Sequence, residues 1–79
     1  MFYVYIIYSA SGDVYYKGYT ENIDKRLAEH NDAKSRYTSH FSDWKVVYQK
    51  GFQTKREALI EEKRIKRLNR ESLLRLVFL

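Results

Sequence analysis

The chain alternates between two hydrophobic rhythms. Phe2 to Tyr8 is dense in Val, Ile and Tyr, which pack well on a pleated surface, and is predicted to be a strand. A turn signal follows at Gly12-Asp13, and Val14 to Tyr19 predicts a second strand close enough to form a hairpin with the first. Thr20 to Asn22 supplies helix-capping side chains. Ile23 and Leu27 then stand one turn apart in a helix expected to reach Asn31. The segment "NDAKSRYTSHFSD" has no periodicity and reads as a long polar loop. "WKVVYQKGF" is a third strand. Thr54-Lys-Arg-Glu57 has the capping-box spacing and opens a helix from about Lys55 to Leu68. Asn69 is placed to end it and to cap a last short helix through "LLRLVFL".

The predicted order is β-β-α-β-α-α, an α+β fold with a small three-stranded sheet flanked by helices. The hairpin makes at least part of that sheet antiparallel, leaving antiparallel and mixed sheets both open. With 79 residues the expectation is one domain, 1–79, with a thin core. There are no cysteines, so neither a disulfide framework nor a thiolate zinc site is available, which is consistent with a cytoplasmic protein. No apolar run is long enough for a membrane span, and "MFYVYIIYS" lacks the basic leader of a signal peptide. Lys and Arg number 15 against 10 acidic residues, a net charge of +5, which points to a polyanionic partner, nucleic acid ahead of anionic lipid.

Polar residues interrupt the faces that ought to be apolar. Ile23, Arg26, Leu27 and His30 share one face of the first helix, yet two of the four are polar. Arg26 can lay its stem on the core edge with its head in water, or it can serve a site. In the second helix Ala58, Glu62, Ile65 and Asn69 share a face, so a carboxylate stands between two apolar residues. Such a carboxylate is paired, protonated or bound to metal; a salt bridge to Arg26 or a lysine and a metal role both stand. Glu61 lies to the side, a solvated partner for Arg64 or Lys55. Five of the 8 tyrosines fall between Tyr3 and Tyr16. Tyr5 and Tyr16 are expected to meet across the hairpin, and a cation nearby (Lys17, Arg26 or His30) would lower a phenol's pKa enough for it to act as a base. No zinc-protease, P-loop or nucleophile-elbow motif occurs.

In order along the chain, these residues resemble the GIY-YIG nuclease family. Tyr3-Val4-Tyr5 stands where the first motif would be and Tyr16-Lys17-Gly18 where the second would be. "GYTENIDKRLAEHN" resembles the G-x-T-x-N-x-x-x-R-x-x-x-H continuation. "EALIEEKRIK" resembles the helix that carries the family's metal-binding glutamate, and "SRYTSHFSDWKVVY" is similar to the small stand-alone bacterial members. The first motif lacks its Gly and Ile and the second has Lys17 for Ile; these are strand-packing positions rather than chemical ones.

The resemblance implies metal-dependent endonuclease chemistry on DNA phosphodiesters, in DNA repair, recombination or processing. It implies that Glu62 holds Mg²⁺ or Mn²⁺ and that Arg26 stabilises phosphate charge. Tyr5 acts as general base or water positioner, Tyr16 holds the water or Tyr5, and His30 assists. Lys17, Lys34, Arg36, Thr38, His40 and Lys45 are the expected contacts to the nucleic-acid backbone, on duplex, branched or single-stranded DNA. The resemblance to single-domain members, which lack the recognition domain of larger relatives, implies a protein partner that supplies specificity. Two other classes compete. One is a non-catalytic nucleic-acid-binding module with Tyr15 and Tyr19 as stacking platforms. The other is an interaction module with "LLRLVFL" as an apolar dimer surface.

Overall fold

A computed structural model describes residues 1–32 and 37–78. The elements are β1 (Phe2–Ser9), β2 (Val14–Thr20), α1 (Ile23–Asn31), β3 (Trp44–Phe52), α2 (Lys55–Lys66) and α3 (Arg70–Phe78). The strands form one sheet in the order β2-β1-β3, and both pairings are antiparallel, so the mixed alternative falls away. β1 is central because its neighbours reach it by a tight hairpin on one side and a helical crossing on the other. The hairpin turns at Asp13, whose φ of 50° is the left-handed conformation that aspartate tolerates. A bulge between Ile6 and Ile7 shifts the β1–β3 register.

Side-chain alternation gives the sheet two faces. Tyr5 and Ile7 of β1, with Trp44 of β3, pack against Ile23 and Leu27 of α1. Val4 and Ile6 point the other way and form a core with Ala58 and Ile65 of α2 and Leu73 of α3. The helices therefore lie on opposite faces, α1 on one and α2 with α3 on the other.

Each helix start follows from its capping residue. Asn22 Oδ1 accepts from Lys25 N at 3.1 Å. Thr54 Oγ1 accepts from Glu57 N at 3.2 Å and its hydroxyl reaches Glu57 Oε1 at 2.8 Å, the expected capping box. Asn69 Oδ1 accepts from Ser72 N at 2.8 Å, so Asn69 caps α3 as expected. α2 stops at Lys66 rather than Leu68, because Arg67 N and Leu68 N bond to carbonyls three residues back and tighten the last turn. The "LLRLVFL" segment closes the core: Leu73 is buried and Leu76 and Val77 pack on it. Among the described residues, no helix is long and apolar enough to cross a membrane.

Candidate functional site

The site is built where α1 meets the face of the sheet near β2. Tyr5 pairs with Gly18 across the hairpin, and Tyr16 pairs with Ile7. The expected direct opposition of Tyr5 and Tyr16 is therefore corrected to a diagonal one, still on the same face. The Tyr5 ring fills the space a side chain at Gly18 would occupy: a Cβ there would lie 2.5 Å from the Tyr5 hydroxyl. The glycine is what lets this tyrosine lie flat across β2.

Arg26 and His30 stand one turn apart on α1 and both turn inward. His30 is fully buried, and its Nε2 lies 2.9 Å from the Tyr5 hydroxyl. Its ring also meets Tyr16, with centroids 5.1 Å apart. On the far side of the imidazole, Nδ1 lies 2.6 Å from Thr38 Oγ1. The Arg26 Nη1 donates to Glu29 Oε1 at 3.1 Å, and the guanidinium charge acts on the Tyr5 phenol. Beside Arg26 is an open hollow of about 240 Å³, bordered by Thr20, Asn22 and Lys25 and also by the carboxylates Glu21 and Glu29.

Burial sets the protonation states. It pushes the Tyr5 phenol up to about 12, against the pull of Arg26 in the other direction. The expectation that a neighbouring cation lowers this phenol is thus overturned: desolvation of the phenolate exceeds the attraction of Arg26. The other two cations proposed for that task do not supply it. Burial, then the Arg26 charge, draws His30 down to about 4, so its imidazole is neutral at pH 7. Lys17 pairs with Ile6, on the α2 and α3 side of the sheet, away from Tyr5. For Arg26, burial works against the charge, but Glu29 and Tyr5 outweigh it and keep the guanidinium protonated.

Glu62 arrives from the opposite layer. Its carboxylate acts electrostatically on both Tyr5 and Tyr19, which brings it near the same sheet edge. Its side chain is 19% exposed and lies 3.6 Å from Lys66 Nζ, an ion pair too long for a hydrogen bond. The salt bridge to a lysine is thus present, and that to Arg26 is not. Glu61 pairs with Arg64 as expected. Among the described residues no three His, Cys, Asp or Glu side chains converge as a metal-binding group. Glu62 is a single carboxylate, which suits a hard cation that keeps most of its waters and takes phosphate oxygens as further ligands.

The backbone-contact residues divide. His40 and Lys45 are exposed, and Lys34 and Arg36 lie outside the described residues. Thr38 does not belong with them: it is 1% exposed and its hydroxyl is engaged by His30, so it cannot grip a phosphate. Tyr15 and Tyr19 are not free platforms either. Both pack on the core, Tyr15 against Tyr8 at 4.7 Å and Tyr19 against Phe2 at 6.3 Å between centroids.

Two positions that shape the site had gone unrecognised for that role. Asn31 clamps the end of α1 to β3, accepting from Trp44 N at 2.7 Å and donating to Trp44 O at 3.1 Å. The Trp44 indole donates to the Thr38 carbonyl at 3.0 Å and holds the loop against His30. The available signal was a histidine on an apolar helix face, because a buried imidazole needs two polar partners.

Residues 1–75 match the family model described as the GIY-YIG catalytic domain. The chain is similar to the UPF0213 protein of Staphylococcus saprophyticus, 38% identical over 76 residues that cover 95% of this chain and 92% of the relative. It is 42% identical over 71 residues to the UPF0213 protein of Bacillus licheniformis, covering 89% of this chain and 72% of that one. The solution NMR structure of a UPF0213 protein from Bacillus halodurans matches with a TM-score of 0.62 and 33% identity, across 98% of this chain and 83% of that chain.

Proposed function

This chain belongs to the GIY-YIG nuclease family, and from that premise we propose that it is a metal-dependent endonuclease that hydrolyses DNA phosphodiester bonds. The observation that carries the reading is the buried bond between Tyr5 and His30 Nε2 at 2.9 Å, with Arg26 one turn from His30 on α1. A packing tyrosine needs no buried imidazole against its hydroxyl.

In this reading the scissile phosphate sits by the hollow next to Arg26, whose permanent charge and fork-shaped donors stabilise the pentavalent transition state. Tyr5 orients the attacking water. A phenol raised to about 12 is a poor proton acceptor at neutral pH but a good positioner. Tyr16 steadies the same water or the Tyr5–His30 pair from the diagonal position. Glu62 would hold Mg²⁺ or Mn²⁺, which would supply charge neutralisation and a lowered pKa for bound water. Lys17, His40 and Lys45, with Lys34 and Arg36, are the proposed backbone contacts, which carry little sequence information. The proposed setting is DNA repair, recombination or processing in the cytoplasm, with a protein partner adding specificity.

The test is cleavage of labelled duplex, single-stranded, nicked and branched DNA with Mg²⁺, Mn²⁺ or EDTA. Glu62→Ala and Tyr5→Phe, checked for folding, run beside the wild type. Metal-dependent cutting that both folded variants lose is the expected result. Tight binding without cutting under either metal would refute it in favour of a binding module.

A further inference from the structure

Thr38 lies in the most polar part of the chain yet is 1% exposed. It is held from two sides: the Trp44 indole donates to its carbonyl at 3.0 Å, and its hydroxyl oxygen lies 2.6 Å from His30 Nδ1. His30 itself is fully buried and touches Tyr5 through its other nitrogen. Among the described residues no buried polar side-chain atom lacks a hydrogen-bond partner. The row therefore runs Tyr5, His30, Thr38, and its polarity depends on where one proton sits.

A neutral imidazole carries its proton on one nitrogen only. If the proton is on Nε2, it points at the Tyr5 oxygen. The positive charge of Arg26 also favours electron density on this oxygen. The phenol hydrogen is then forced outward, and Tyr5 offers a donor to anything beyond it. If the proton is on Nδ1, it is taken up by Thr38 Oγ1. Nε2 is then a bare acceptor, the Tyr5 hydroxyl turns inward to it, and the remaining phenol lone pair faces outward. Only the second arrangement lets Tyr5 accept a hydrogen bond from a water and so aim that water's oxygen at phosphorus.

We propose that Thr38 is a positioning residue that holds the His30 proton on Nδ1, so that the Tyr5 hydroxyl points to Nε2 and its oxygen is presented as an acceptor. Both the role in cleavage and the choice between the two tautomers rest on the nuclease reading, since the Thr38 hydroxyl can donate to Nδ1 as well as accept from it; the ring-nitrogen spectrum reads the proton independently of cleavage. Thr38 touches neither the phosphate nor the water. It acts through the imidazole, as outer partners that orient a working histidine do.

The experiment reads the tautomer directly. Two-bond ¹H–¹⁵N correlation of the ¹⁵N-labelled protein near pH 7 is expected to show a protonated, pyrrole-type Nδ1 and a bare, pyridine-type Nε2 for His30. Thr38→Val keeps the shape and removes the acceptor, so the proton moves wholly or partly to Nε2. Turnover on DNA then falls by roughly 10- to 100-fold, the range for loss of an orienting partner. Thr38→Ser restores both. A wild-type His30 protonated on Nε2 overturns the proposal, and that spectrum needs no variant to fold. So does a folded Thr38→Val that keeps the Nδ1 proton or cuts at the wild-type rate. A wild type that shows the Nδ1 tautomer but never cuts DNA defeats the nuclease reading and leaves the proton placement standing.

Discussion

Replacing Gly18 with alanine isolates one physical effect. The residue lies in β2 with an ordinary negative φ, so the backbone accepts alanine without strain. The added Cβ would lie 2.5 Å from Tyr5 Oη, 2.6 Å from Cζ and 3.0 Å from Cε1. Comfortable carbon contacts begin near ~3.5 Å, so the ring must give by roughly 1 Å. It has nowhere easy to go, because Tyr5 is 2% exposed and packed with Ile7, Trp44 and Tyr16. Overpacking of this kind costs about 1–3 kcal/mol, and the stiffer unfolded chain returns about 0.4–1 kcal/mol. The net loss is about 1–2 kcal/mol, a drop in Tm on the order of 5–15 °C for a domain of this size.

Gly51→Ala is the matched control. Its Cβ would meet the sulfur of Met1 at 2.7 Å, an exposed and flexible side chain that can swing away, and Tyr3 Cε1 at 3.2 Å, which need give only a few tenths of an ångström. Thermal melts by circular dichroism should therefore separate the two alanines, with Gly51→Ala near wild type. In Gly18→Ala the Tyr5–His30 bond should also be lost, visible at the His30 ring nitrogens. Combining Gly18→Ala with Tyr5→Phe removes the worst contact, so the pair should be less than additive. A Gly18→Ala protein with the wild-type Tm and an intact Tyr5–His30 bond would refute the reasoning.

The other predictions concern a helix cap and an acid limb. Thr54→Ala should lower stability by ~1 kcal/mol in urea titration, because Glu57 N loses its acceptor, while Thr54→Ser should stay near wild type; an unchanged midpoint for the alanine would mean that the cap contributes nothing. His30 titrates near 6.5 when free and near 4 when folded, chiefly because of burial. Below 6.5 the unfolded chain takes up a proton that the folded chain refuses, so this contribution is complete above pH 6.5 and is lost as pH falls towards 4. Denaturation midpoints measured across that window should fall for the wild type and flatten for His30→Gln, and parallel curves would contradict the assignment.

Much of this was legible in the residues. β3 runs from Trp44 to Phe52 as its composition suggests, and the caps at Asn22, Thr54 and Asn69 begin their helices where capping chemistry puts them. These are local features, decided by short-range rules. The hairpin register was not, since it depends on how many residues the turn consumes; the left-handed bend itself falls at Asp13, within the Gly12-Asp13 turn signal. Lys17 does not serve as the cation beside Tyr5, because period-two alternation turns it to the face opposite Tyr16 and Gly18. Thr38 was misread because polar loop residues usually face water. The competing demand, a buried imidazole in need of a second partner, acts across 8 residues and appears only when the chain is closed. The same long-range logic decides Tyr5, whose desolvation outweighs the arginine beside it.

The sheet order carries a last consequence, for the way the molecule opens. β1 is laddered on both edges, so its amides are released to exchange only when a neighbouring strand leaves, which is close to global unfolding. Tyr5 rides on this most persistent strand. Arg26 and His30 ride on the nine-residue α1, and Glu62 rides on α2, on opposite faces of the sheet. Either helix can lift without breaking a strand ladder. The site is thus assembled from units of unequal lifetime, and its chemistry is lost by a partial opening that leaves the sheet closed.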